Sequence, residues 1–132
     1  LVLDLDPSEK NSFEDVIETA QAVKEILDIS GIDGYPKTSG SSGIHVYIPM
    51  NAKYSYDQVK SFGHSLMQMV QKKLPDLTTL ERSLQKRDKN KIYLDYLQFA
   101  LTNAFQGSEY PLLVHRIFHL EESNLYAMEY WF

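Results

Sequence analysis

Apolar and acidic positions alternate with a period of two at the start of the chain, Leu1-Val2-Leu3-Asp4-Leu5-Asp6-Pro7. Successive side chains of a strand point to opposite faces. The pattern therefore predicts a strand that turns Leu3 and Leu5 to a core and sets Asp4 and Asp6 together on the other face. Pro7 ends it, having no N–H to donate and disfavouring helix in the residue before it. The period then changes. Phe13, Val16, Ile17, Ala20, Val23, Ile26 and Leu27 form one apolar stripe and predict a helix from Ser12 to Ser30. Ser12 caps it, Glu14 and Asp15 suit its positive end, and Gly31 stops it.

The stretch from Tyr35 to Gly43 reads as a Gly/Ser loop. A second alternating strand follows, with Ile44, Val46 and Ile48 on one face and His45 and Tyr47 on the other. Val59, Phe62, Leu66, Met69 and Val70 predict a second amphipathic helix from Ser55 to Leu74, with Pro75 just beyond it. The methionines read as core filler and His64 as a surface or boundary residue. Ile92-Tyr93-Leu94-Asp95-Tyr96-Leu97 is an apolar strand with one buried-looking carboxylate at its middle. From Phe99 onward no clean period holds. Glu121 to Phe132 is a candidate helix, and His115 and His119 have the spacing of a zinc pair on a helix. No third ligand stands near them, and Leu112-Leu113-Val114 favours a strand.

A length of 132 residues suits one domain, and a hydrophobic share of 43% supports a real core. The absence of cysteine excludes disulfides, thiolate catalysis and cysteine zinc sites, and fits a reducing, cytoplasmic setting. No stretch approaches the roughly 20 apolar residues of a membrane span. The net charge of −5 argues against nucleic-acid binding unless charge is segregated. It is segregated: from Arg82 to Lys91 the five bases Arg82, Lys86, Arg87, Lys89 and Lys91 face one acid, Asp88.

Asp4 and Asp6 would lie about 6–7 Å apart along a strand. Carboxylates this close repel, and an oxygen-seeking cation such as Mg²⁺ or Mn²⁺ is their natural neutraliser. The plain alternative is an edge strand with two solvated aspartates. Asp95, in a strand interior, calls for a metal or a basic partner. The Gly/Ser loop can wrap N–H groups and hydroxyls around phosphate oxygens. It is not a Walker motif, since neither Gly-Lys-Ser/Thr nor a helix follows.

Four stretches occur in a telling order. They are Leu3-Asp4-Leu5-Asp6-Pro7, Lys37-Thr38-Ser39-Gly40 through Gly43-Ile44-His45-Val46-Tyr47-Ile48-Pro49, Glu81-Arg82-Ser83-Leu84 with Lys86-Arg87, and Tyr93-Leu94-Asp95-Tyr96-Leu97-Gln98. Together they resemble the polymerase domain of bacterial DNA ligase D, of the archaeo-eukaryotic primase superfamily. The resemblance spans residues 1–98, with 99–132 as a divergent or aberrant tail. Pattern and resemblance together predict an α/β (α+β) fold. Its mainly antiparallel sheet is flanked by two helices and forms the catalytic half of a primase-type polymerase.

The resemblance implies a metal-dependent nucleotidyltransferase that adds nucleotides, preferring ribonucleotides, to DNA ends in non-homologous end joining. Asp4 and Asp6 resemble the first-motif metal ligands and Asp95 the third-motif carboxylate. These three would be the catalytic residues and the ligands of a two-metal Mg²⁺ or Mn²⁺ site. Ser39 and His45 resemble residues that hold the incoming triphosphate, with Lys37 in the same motif. Arg87 resembles a basic residue near the nucleotide, its spacing to Asp95 shifted by one. The implied partners are DNA ends and nucleoside triphosphates, together with ligase and nuclease domains and a DNA end-binding protein, and no membrane.

Departures from the family are also present. Ser42 stands where members carry Lys. The family has an N-terminal, DNA-binding region before the Asp strand, so this chain reads as a fragment. Where the family continues with Asn-Arg, this chain reads Phe99-Ala100-Leu101, as a frameshift or true divergence would produce. The sequence therefore predicts weak DNA binding and little or no templated synthesis by these 132 residues alone, with metal and nucleotide binding retained. The alternatives are an inactive remnant or nucleic-acid-binding module, and a metal-dependent phosphohydrolase using the same carboxylates.

Overall fold

A computed structural model describes residues 1–96. Leu97, Gln98, the His115–His119 pair, the candidate helix from Glu121 and the whole 99–132 tail lie outside the described residues. In chain order the elements are β1 (Val2–Asp6), α1 (Phe13–Ile29), β2 (Tyr35–Thr38), β3 (Ile44–Tyr47), α2 (Tyr56–Lys73), β4 (Thr78–Thr79) and β5 (Ile92–Asp95). The strands form one sheet in the order β2-β3-β1-β5-β4, which puts β1 at the centre. β1 pairs antiparallel with β3 and β5, β2 antiparallel with β3, and β4 parallel with β5. The sheet is thus mainly antiparallel and carries two helices, as the pattern predicts.

The core follows from the alternation. Leu3 and Leu5 of β1, Ile44 and Val46 of β3, and Ile92 and Leu94 of β5 are buried in one cluster with the apolar faces of both helices. Each such side chain contributes about 1.5–3 kcal/mol by leaving water. Both helices begin with reciprocal caps. Ser12 Oγ accepts from the Asp15 N–H while the Asp15 carboxylate accepts from the Ser12 N–H, and Ser55 and Gln58 repeat the arrangement on α2. Gly31, at φ +66°, supplies the left-handed residue that ends α1.

Three features depart from the sequence reading. Tyr35–Thr38 is an edge strand rather than the start of a loop, and the true loop is only Ser39–Gly43. Pro36 suggests a break, yet an edge strand tolerates a residue with no N–H to donate. On α2 the buried face is Val59, Gly63, Leu66, Met67 and Val70, while Met69 is 49% exposed and Phe62 only half-buried. A Cβ at Gly63 would stand 3.2 Å from both Leu1 Cδ1 and Tyr96 Cβ, so the missing side chain is what seats the helix. A count of apolar residues cannot see a face centred on glycine. Finally, β4 has two residues, too few to show a period.

Candidate metal and nucleotide site

Register assembles the site. Lys37 stands opposite His45, His45 opposite Asp4, and Asp4 opposite Asp95. Directly opposed residues of neighbouring strands share a face. Lys37, His45, Asp4 and Asp95 therefore form one row across β2, β3, β1 and β5, on the face away from Leu3 and Leu5. Asp6 lies two residues along β1 on the same face, opposite Tyr93.

Within the row, His45 Nε2 lies 3.4 Å from Asp4 Oδ1, with side-chain exposures of 20% and 16%. The His45 ring meets Tyr47 edge-on, with centroids 6.3 Å apart. Burial, and then the Asp4 charge, push the Tyr47 hydroxyl above its ordinary pKa. Asp95 is half-buried rather than fully buried. The Asp6 carboxyl is raised by burial first and by Asp4 and Asp95, against the opposing pull of Arg87 and His45.

Arg87 reaches this face from the basic turn. Its Nε donates to the Glu81 carbonyl at 2.9 Å and its Nη2 to the Arg82 carbonyl at 3.1 Å, and its guanidinium lies over the Tyr93 ring. Arg82, Lys86 and Lys89 stay exposed, and Lys91 Nζ donates to the Pro75 carbonyl at 3.0 Å. Ser39 closes the β2–β3 loop. Its N–H donates to the Gly43 carbonyl at 3.0 Å, and its Oγ accepts from the Gly43 N–H at 3.1 Å. A hydroxyl that accepts one bond keeps its own proton to donate.

The structure thus gathers Asp4, Asp6, Asp95, His45 and Lys37 on one face, with Arg87 beside Asp6 and Ser39 at the base of the β2–β3 loop. Tyr93 and Tyr47 were not among the candidates. Alternation along each strand carried the signal, since Tyr93 is two residues from Asp95 and Tyr47 two from His45. Among the described residues, no group of three or more His, Asp or Glu side chains is gathered so as to hold a metal ion. The three carboxylates share a face without forming a closed coordination shell. Their chemistry nonetheless fits a hard divalent cation: every donor is oxygen, and Asp6 is held up partly by two neighbours whose charge such a cation would offset.

The Asp6 shift has a stability consequence. A carboxyl raised on folding adds stability below its unfolded pKa and loses it as pH rises through the folded value. At neutral pH ionised Asp6 therefore opposes folding. Asp6→Asn is expected to stabilise the metal-free protein at pH 7 by about 0.2–1 kcal/mol, the scale of exposed charge interactions. The gain should vanish below the ordinary carboxylate range, where Asp6 is protonated. Thermal unfolding in chelator at pH 7 and at acid pH checks this; an equal effect at both would overturn it.

A family model described as LigD, primase-polymerase domain, matches residues 1–105. The chain is 38% identical over 101 residues to the bifunctional non-homologous end joining protein LigD of Bacillus subtilis (strain 168), covering 76% of this chain and 16% of that protein. It is 31% identical over 97 residues to the multifunctional non-homologous end joining protein LigD of Pseudomonas aeruginosa, covering 74% of this chain and 11% of that protein. Among solved structures, it is similar to the polymerase domain from Mycobacterium tuberculosis ligase D in complex with DNA. That match has a TM-score of 0.66 at 30% identity and covers 73% of this chain and 33% of that one. Among the described residues, no helix is long and apolar enough to cross a membrane.

Proposed function

The chain belongs to the LigD primase-polymerase family, and from that premise we propose that its acidic sheet face is a metal-dependent site for adding nucleotides to DNA ends in non-homologous end joining. Asp4, Asp6 and Asp95 would hold Mg²⁺ or Mn²⁺. Bound there, the cations supply charge neutralisation for the triphosphate and its departing pyrophosphate and acidify the primer 3′-hydroxyl. The chief support is the row itself, in which carboxylates at the sheet centre continue into His45 and Lys37 on one side.

The remaining residues divide the work by position. His45 and Lys37 offer N–H donors beside the acids, where phosphate oxygens would lie. Ser39 adds a hydroxyl where the β2–β3 loop closes. Arg87 offers a fixed planar cation near Asp6, suited to anionic oxygens. The DNA held by the Mycobacterium tuberculosis relative supports DNA ends as the second substrate.

Labelled ribonucleoside triphosphate, a DNA end and Mn²⁺ test this. Weak incorporation that a chelator abolishes is expected. Triphosphate cleavage without incorporation would favour a phosphohydrolase, and DNA binding with neither reaction would favour a binding module. His45→Ala is expected to weaken nucleotide binding by about 1–3 kcal/mol if it loses a hydrogen bond to a charged group. An unchanged affinity in titration calorimetry would leave His45 only as a neighbour of Asp4.

A further inference from the structure

Arg87 is held more firmly than a surface arginine needs to be. Two of its nitrogens donate to the successive carbonyls of Glu81 and Arg82, at 2.9 and 3.1 Å. Its guanidinium carbon stands 3.6 Å from the centroid of the Tyr93 ring. Tyr93 is itself fixed, 9% exposed in β5 and opposite Asp6. One edge of the guanidinium is thus pinned by backbone and one face by an aromatic ring. A guanidinium has five N–H donors, so three remain beyond these two bonds. A lysine has no planar fork to stack and bridge in this way. The Arg87 charge is felt at both Asp6 and Tyr93, which agrees with that placement.

We propose that Tyr93 is a positioning residue: its ring, with the Glu81 and Arg82 carbonyls, fixes the Arg87 guanidinium at the Asp6 end of the acidic face as a pre-set binding group for the triphosphate. This rests on the nucleotide reading of the same site. Stacking requires the ring and not the hydroxyl, so phenylalanine should replace Tyr93 and leucine should not. Fixing the guanidinium beforehand removes an ordering cost from nucleotide binding.

The test uses the whole chain, with ¹⁵N NMR of arginine Nε–H groups and calorimetric titration of ATP with Mn²⁺. In the wild type, the Arg87 Nε–H should exchange more slowly than that of exposed Arg82, and its resonance should carry a ring-current shift. Y93F should keep both properties and Y93L should lose them. ATP affinity should fall about tenfold in Y93L and to a similar extent in R87A, with no further loss in the double variant. A mobile Arg87 in the wild type would overturn the proposal even if Y93L failed to fold. So would Y93L that binds ATP normally, or losses that add in the double variant. An ordered Arg87 whose R87A variant binds ATP unchanged would overturn the pre-set role as well. Metal-dependent incorporation by that same variant would leave the wider site reading standing.

Discussion

Asp4→Asn should lower metal-dependent nucleotide incorporation by more than about a hundredfold, the upper range of the loss caused by removing even an outer-shell partner of a metal. Asp4 sits on the central strand, opposed on one side by His45 and on the other by Asp95. Asparagine keeps the shape but removes the charge a divalent cation requires. The substitution should not unfold the protein. Like charges directly opposed across strands are destabilising, so removing one is neutral or favourable in chelator. Thermal unfolding separates the two effects. A cation present at a hundred times its dissociation constant stabilises the native state by about 2.7 kcal/mol. Mn²⁺ should therefore raise the wild-type midpoint and leave that of the Asp4→Asn variant nearly still. Full incorporation by the variant would remove the carboxylate row from the mechanism.

Gly43→Ala should destabilise the fold by about 1–3 kcal/mol, the usual cost of overpacking a tight site. A Cβ there would lie 2.6 Å from the Leu5 carbonyl oxygen and 3.3 Å from both Pro7 Cδ and Ser39 Oγ. The carbonyl is backbone of the central strand, next to the Leu5–Ile44 pair, and cannot move without disturbing the β1–β3 ladder. The strain would also reach the hairpin that carries Lys37, Ser39 and His45. Gly40 gives the contrast. It has nothing within 4 Å of a notional Cβ, but its φ is +84°, so alanine there should cost about 1–2 kcal/mol through backbone strain alone. Urea unfolding of both variants measures the difference, and a Gly43→Ala midpoint equal to wild type would show that the strands can part at no cost.

Much of this molecule is legible in order along the chain. Leu3 and Leu5 against Asp4 and Asp6 fix the two faces of β1 wherever its partners lie, because a strand's alternation is local. The stripe from Val16 to Leu27 and the Ser12 and Ser55 caps likewise need only the helical period and neighbouring backbone. What tertiary structure decided is register and company. Nothing in the sequence spacing says that Asp95 faces Asp4, since those strands come from opposite ends of the described chain. Pro36 looks like a loop residue until the strand is seen to lie at an edge, and Gly63 looks like a gap until Leu1 and Tyr96 are found against it. The basic turn reads as a single patch of charge. The resemblance marks Arg87 within that patch, but its stacking on Tyr93 beside Asp6 requires three segments to meet, and periodicity records no such meeting.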